Sequence, residues 1–170
     1  MPHPLVDQLR FTRNEFLRAL DGVSETDARH RLLPMNSISW IVGHLAYQEQ
    51  RYWLDRAQGI VLIPDLEALV GWDAPASTPP LSAMRAAWHA ITQAADPWLD
   101  ALTTETLQTF MIVDGKPWEE SIGSMLRRVT YHYWYHMGES QAIRQLLRHT
   151  DLPEFVGDIY TEGPYRPEHS

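Results

Sequence analysis

Apolar residues recur every three or four positions in four long segments of the sequence, which is the spacing of amphipathic α-helices. The predicted helices cover about residues 4–21, 37–58, 81–102 and 118–149. Pro4 suits the first position of a helix, and Gly22 and Gly59 follow the ends of the first two segments, as helix stop signals do. The pattern predicts an all-α fold, a four-helix bundle with long connections.

The connections between these segments predict smaller features. A short helical turn is expected to begin at Ser24, and residues 60–80 are rich in Pro and look loop-like. A connection of that length inside a compact domain is often functional. Residues 109–113 (TFMIV) precede Asp114 and Gly115, a favourable pair for a hairpin turn. A short β-ribbon is therefore expected just before the last helix.

The composition of the chain excludes several kinds of protein. With 170 residues and 44% hydrophobic content, we expect a single domain over residues 1–170, whose tail from about residue 151 wraps the bundle or is mobile. The chain lacks the apolar runs of a membrane span or a signal peptide, so a cytoplasmic protein without a membrane partner is expected. The formal net charge of −8 argues against a nucleic-acid partner. The absence of cysteine excludes disulfides, thiolate ligands and a cysteine nucleophile.

Two histidines lie four residues apart in the last predicted helix, at His132 and His136. This spacing places both imidazoles on one helix face, where they can bind one cation. They share their face with four apolar residues, Met125, Val129, Ile143 and Leu147. The pair is therefore expected to point into the bundle, where a metal would satisfy one nitrogen of each ring. Such a pair is also common among surface and packing residues, so that alternative stays open.

A third candidate ligand is His44, at the edge of the apolar stripe of the second predicted helix. Gly43 beside it would allow another helix or a ligand to approach closely. Three imidazoles from two helices would leave coordination positions open, as is expected of a catalytic rather than a structural metal site. A histidine at this position could instead be a hydrogen-bonded core residue.

Two stretches of the sequence resemble motifs of the DinB-like, YfiT-like superfamily of small metal-binding four-helix bundles. Residues 36–46 (NSISWIVGHLA) are similar to the family's S-x-x-W-x-x-G-H-L-A segment. Residues 132–139 (HYWYHMGE), followed by Arg144, are similar to its H-x-x-x-H-x-G-Q…R segment. The helix order and residues 152–157 (LPEFVG) also fit, so the resemblance covers nearly the whole chain. It implies that the metal ligands are His44, His132 and His136.

The sequence departs from the family pattern at Glu139, where the family usually has Gln. A carboxylate one turn beyond His136 could support that ring from behind, act as a fourth ligand or serve as a catalytic base, and Glu139 is the candidate catalytic residue. It could equally be an exposed charge. Arg144 could pair with Glu139 or with a substrate carboxylate, or be a solvated arginine near the helix end.

Residues next to the candidate ligands could line the mouth of a pocket. Tyr47, Gln48 and Arg51 follow His44, and Trp40 and Trp134 lie close to the two motifs. Each of these side chains could instead be ordinary helix packing or surface.

Three neutral imidazoles suit zinc or nickel, with iron, manganese or copper as alternatives. Such an ion can lower the pKa of a bound water towards about 7 for hydrolysis, or bind a thiol as its thiolate. The resemblance implies thiol chemistry, since characterised relatives include transferases and isomerases that use low-molecular-weight bacterial thiols. The prediction is a metal-dependent thiol transferase or hydrolase for a small molecule, with an external thiol. The alternative is a non-catalytic metal- or ligand-binding stress-response bundle, and a homodimer is also left open.

Overall fold

The computed structural model describes residues 1–154 and 156–167, so Phe155 of the 152–157 segment and residues 168–170 lie outside the described residues. Within these ranges the chain is mostly helical with one two-stranded sheet, which confirms the prediction of an all-α fold with a short β-ribbon. The long helices are α1 (Pro4–Ala19), α3 (Ile38–Glu49, continued by a π-helix over Gln50–Arg56), α5 (Leu81–Asp100) and α7 (Ile122–Leu146). The short elements are α2 (Glu25–Arg29), α4 (Leu66–Val70), α6 (Thr104–Leu107), β1 (Phe110–Val113), β2 (Lys116–Ser121) and α8 (Ile159–Glu162).

Serine residues cap the N-termini of the two helices that carry the three histidines. Ser37 accepts a hydrogen bond from the backbone N–H of Trp40 at the start of α3, 3.2 Å away. Ser121 accepts one from the N–H of Ser124 at the start of α7, also at 3.2 Å. Each bond satisfies a backbone donor that has no partner within its own helix.

The start of the last helix differs from the prediction because the β-ribbon is longer than expected. The sequence predicts this helix from Trp118, but Trp118 lies in β2, and the prediction of the boundary is wrong. Asp114 and Gly115 form the turn with φ of 51° and 74°, in the left-handed region that a tight hairpin requires. Val113 pairs with Lys116, and the ladder holds the following residues in an extended conformation up to the serine cap.

The long connection over residues 60–80 is partly ordered into α4, so its prediction as a loop is wrong for that segment. Leu66 and Val70 lie four residues apart and are 2% and 0% exposed, because they pack against α3. Gln50 holds the chain just before α4. Its side-chain oxygen accepts the N–H of Ile63 at 2.8 Å, and its Nε2 donates to the carbonyl of the same residue at 3.0 Å.

The helix α3 lies at the centre of the bundle. It packs on α5 and α7, while α1 packs on α7. Every residue from Ile38 to Tyr47 is buried, including the polar residues Ser39 and His44. The sequence predicts a single apolar stripe with His44 at its edge, and this prediction is wrong because α3 has neighbours on all sides.

A buried ion pair joins α1 to α3. Arg13 is 4% exposed and Glu49 is fully buried. Arg13 donates two hydrogen bonds to the Glu49 carboxylate, one of them from Nε to Oε1 at 2.7 Å. The hydroxyl of Tyr133 on α7 donates to the same Oε1 at 2.7 Å, and Arg13 Nη1 donates to Asp96 on α5 at 2.8 Å. One charged cluster thus contacts all four long helices.

The described part of the C-terminal tail contacts α1 through Glu15, which is 2% exposed. Glu15 accepts hydrogen bonds from Arg18 Nε at 2.8 Å and from the backbone N–H of Gly157 at 2.9 Å. These two bonds hold the pKa of the Glu15 carboxyl below its ordinary value. Arg18 also donates to the carbonyl of Glu154 at 2.8 Å, so the same pair of side chains binds the tail at two points.

No helix in the described ranges is both long and apolar enough to cross a membrane. The longest, α7, has 25 residues and carries Arg127, Arg128 and Glu139 among them. This finding agrees with the short apolar runs of the sequence.

Candidate metal centre

The three predicted ligands converge where α3 packs on α7. One ring nitrogen from each of His44, His132 and His136 lies within 4.8 Å of the others. The ring of His44 lies 5.1 Å from that of His132 and 5.3 Å from that of His136, measured between centroids. His44 and His136 are 5% and 7% exposed, and His132 is half-buried. The cluster therefore lies just inside the protein surface.

The ring of His44 is held from behind by α4. Its Nδ1 lies 2.8 Å from the backbone carbonyl oxygen of Val70. Because a carbonyl can only accept, Nδ1 carries the proton and Nε2 keeps a free lone pair. Trp40 stacks on a face of the ring, with 4.5 Å between the ring centroids. A Cβ on Gly43 would meet the sulfur of Met84 and Cγ1 of Val70, so glycine lets these side chains of α5 and α4 pack directly on α3.

The ring of His136 is oriented by Glu139, three residues further along α7. The Nδ1 of His136 lies 2.8 Å from Oε2 of Glu139, so the carboxylate accepts the Nδ1 proton and leaves Nε2 with its lone pair. A carboxylate in this position fixes the tautomer and the orientation of a metal-ligating histidine. The contact corresponds to the first of the roles considered for Glu139, support of the ring from behind.

The ring of His132 completes the cluster and contacts the ring of His136. Its Nε2 lies 2.9 Å from Nε2 of His136. Two unprotonated nitrogens at this distance would repel each other, so the pair needs a shared proton or a cation. The Nδ1 of His132 is buried and has no hydrogen-bond partner among the described residues. Such an unsatisfied nitrogen costs about 1–3 kcal/mol.

Burial keeps two of the rings neutral at physiological pH. Burial, together with the neighbouring His136, lowers the pKa of His44 to about 4. Burial and the other two histidines lower the pKa of His132 to about 3. Neutral imidazole is the form that binds a metal, so no proton has to be removed from these rings before binding at pH 7.

A cleft of about 780 Å³ leads from His44 and His132 to the surface. Tyr47, Gln48 and Arg51 line it, which is the first of the two alternatives that the sequence left open for these residues. The Tyr47 hydroxyl donates to Glu67 at 2.5 Å, and burial and this bond raise its pKa to about 12. The side-chain oxygen of Gln48 is buried without a hydrogen-bond partner among the described residues, one turn beyond His44.

The structure also decides between the alternatives left open for Trp40, Trp134 and Arg144. Trp40 supports His44 by stacking rather than bordering the cleft. Trp134 packs against the core and donates to Thr12 at 3.2 Å. The expectation that Arg144 pairs with Glu139 or is solvated is wrong. Arg144 is 3% exposed and donates to the carbonyl of Ala19 at 2.5 Å, because the end of α7 packs on the end of α1.

Sequence reasoning missed several residues of the site, among them Val70, Arg127 and Arg128. Val70 contributes only its backbone carbonyl, and no side-chain pattern could have indicated this role. Arg127 and Arg128 line the cleft. Arg128 lies one turn before His132, so its spacing from the histidine pair was a usable signal.

The donor set fits a divalent cation. His44 and His136 each present an Nε2 lone pair whose direction is set by a bond at Nδ1. Among the described residues, the Nδ1 of His132 has no hydrogen-bond partner and its Nε2 contacts only another imidazole nitrogen, so this ring lacks a full set of partners. Three imidazoles are a ligand set of catalytic sites that keep a position open for water or substrate. The cleft would give a small molecule access to that position.

The sequence matches the family model of the DinB superfamily over residues 8–140. Curated proteins contain no match to this chain. The family match covers well over half of the chain and includes the three histidines and Glu139. The chain belongs to the DinB superfamily, which confirms the resemblance inferred from the two motifs.

Proposed function

We propose that this member of the DinB superfamily is a metal-dependent enzyme that catalyses thiol S-transfer or hydrolysis on a small molecule. The observation that carries the proposal is the convergence of one nitrogen each from His44, His132 and His136 within 4.8 Å at the inner end of an open cleft. Zinc or nickel is the metal expected on imidazole ligands, with iron, manganese or copper as alternatives.

The protein's own contribution would be to hold the three rings ready for the metal. The carbonyl of Val70 and the carboxylate of Glu139 set the tautomers of His44 and His136. Trp40 covers one face of the His44 ring and restricts its rotation. A bound divalent ion would supply a Lewis acid that lowers the pKa of a coordinated water or thiol.

Glu139 has two roles in the proposal that differ in their consequences. With its Oε2 bonded to His136, it raises the basicity of that ligand. Its side chain is 23% exposed, so it is also accessible enough to accept a proton from a water or thiol during the reaction. The first role affects metal affinity and the second affects turnover, so the two can be measured separately.

A thiol co-substrate would have to come from outside the chain. The sequence has no cysteine, and the cleft has room for a small thiol together with an electrophile. We place thiol transfer ahead of hydrolysis because characterised relatives in the superfamily include transferases and isomerases that use low-molecular-weight bacterial thiols, and such a thiol would be the second substrate.

Metal analysis of purified variants tests the site. Wild type and the matched control His30→Ala, whose histidine is exposed and remote from the cluster, should each contain metal. His44→Ala and the double variant His132→Ala/His136→Ala should lose it. Equal metal content in all four proteins would show that the cluster is not the site. A screen of small thiols with an aryl halide, and of esters without a thiol, then tests the reaction.

A second candidate function is non-catalytic binding of a metal or ligand in a stress response. The burial of His44 and His136 favours it, because enclosed imidazoles can hold a metal that stabilises the folded state without turnover. In this case added zinc would raise the melting temperature through preferential binding to the folded state, while no thiol or ester would be converted. A metal-dependent rate that is lost in His44→Ala would exclude this candidate.

A further inference from the structure

The wall of the cleft beyond the histidines is positively charged, although the chain as a whole carries a formal charge of −8. Arg51 on the continuation of α3 and Arg127 and Arg128 on α7 line it, against the single carboxylate of Glu120. Arg128 and Glu120 form an ion pair, so their charges offset each other. Arg51 and Arg127 form no ion pair with a carboxylate in the described part of the chain, although Arg127 donates to the Tyr131 hydroxyl at 3.2 Å.

The sequence positions of the arginines determine how far they lie from the histidines along each helix. Arg51 follows His44 by seven residues, and Arg128 precedes His132 by four. A helix rises about 1.5 Å per residue, so the backbone positions of these two arginines lie roughly 6–10 Å along their helices from His44 and His132. Because the two sets lie on facing helices and line one cleft, a single small molecule can reach both.

Three exposed aromatic side chains line the same cleft as these charges. Trp72, Tyr131 and Tyr135 are 81%, 57% and 71% exposed and all line the cleft. Large apolar surfaces of this kind are uncommon outside binding sites when several lie together. They offer flat faces on which a planar or aromatic group can pack.

We infer that the cleft binds small organic anions with a flat or aromatic body, and that Arg51 and Arg127 bind the anionic group. The arrangement places the other end of the molecule at His44 and His132. This inference rests on the proposed function where it treats the anion as a substrate. Binding of the anion to the cleft requires no metal. Guanidinium groups bind carboxylates through paired N–H donors, and an interaction of this type is stronger than a neutral hydrogen bond.

A matched pair of probes tests the inference. The metal-free protein, treated with a chelator, is titrated by calorimetry with 4-phenylbutanoate and with its neutral isostere 4-phenylbutanamide. The acid should bind wild type roughly tenfold more tightly than the amide, as expected for one charge-assisted bond. The preference should decrease with added salt, since the arginines are exposed.

Variants of the two arginines identify the binding group. Arg51→Gln/Arg127→Gln should bind acid and amide equally, while Arg51→Lys/Arg127→Lys should keep part of the preference. The charge-matched control Arg29→Gln/Arg166→Gln, which alters exposed arginines away from the cleft, should behave as wild type. Equal affinity of the two probes for wild type, no binding of either probe, or loss of the preference in the control would overturn the inference. None of these results bears on metal content, so failure of the inference and failure of the proposed function remain distinguishable.

Discussion

The contact between Glu139 and His136 allows a quantitative prediction for metal affinity. Glu139→Ala removes one charge-assisted hydrogen bond of 2.8 Å. Bonds of this kind contribute about 1.5–3 kcal/mol, and each 1.4 kcal/mol corresponds to about tenfold in affinity. Water can partly replace an acceptor that is 23% exposed, so the expected loss is at the lower end, about 10- to 30-fold in the dissociation constant for zinc.

Competition with a chromogenic chelator measures this affinity directly. Glu139→Gln keeps an oxygen acceptor at the same position but loses the charge, so its loss should be smaller than that of Glu139→Ala. The control Glu162→Ala removes the same charge from the exposed helix α8 and should leave the affinity unchanged. The reasoning is refuted if Glu139→Ala binds zinc as tightly as wild type, or if Glu162→Ala weakens binding equally. If Glu139→Gln retains zinc but loses turnover, Glu139 also acts in proton transfer.

Three further predictions concern the scaffold of the site. Glu49→Gln removes the buried counter-charge of Arg13 and leaves it only the more exposed Asp96, so it should lower the free energy of unfolding in urea by about 3 kcal/mol; an unchanged midpoint would contradict this. Gly43→Ala forces a methyl group against Met84 and should weaken zinc binding and cost about 1–3 kcal/mol, whereas the control Gly138→Ala meets no atom within 4 Å and should stabilise α7. The lowered pKa of Glu15 means that its contribution is present above its ordinary pKa of 4.5 and is lost as the pH falls below it. Glu15→Gln should therefore flatten the acid side of a plot of unfolding midpoint against pH, and an identical slope in both proteins would show that the contact contributes nothing.

Local patterns in the sequence determined the helices and the paired histidines. The spacing of His132 and His136 and the apolar residues that share their face predicted an inward-facing pair, and Met125 and Val129 on that face are buried. The turn at Asp114 and Gly115 was also predictable, because it depends only on residues that are adjacent in the chain. Helix boundaries were less predictable. The pairing of β1 with β2 keeps the chain extended up to Ser121 and so determines where α7 begins. This pairing depends on β1, which lies outside the residues at the start of the helix.

Charged residues within the apolar faces of α1 and α3 are a sequence signal for the buried ion pair between these helices. Arg13 follows Leu9 by four residues and Glu49 follows Leu45 by four, so each charge lies on the same helix face as a buried leucine. A lone charge at such a position is costly, and two opposite charges on different helices indicate a buried pair. The pairing partner, however, depends on which helices are neighbours.

The sequence by itself determined which residues could bind a metal, since imidazole chemistry and one-turn spacing are local properties. Only the tertiary structure decided that His44 meets the other two histidines, because 88 residues separate it from His132 and the packing of α3 on α7 brings them together. The tertiary structure also supplied the Val70 carbonyl, a backbone group with no sequence signature. The positive wall formed by Arg51 and Arg127 arises in the same way, since charges from separate helices create a binding surface only after the helices have packed.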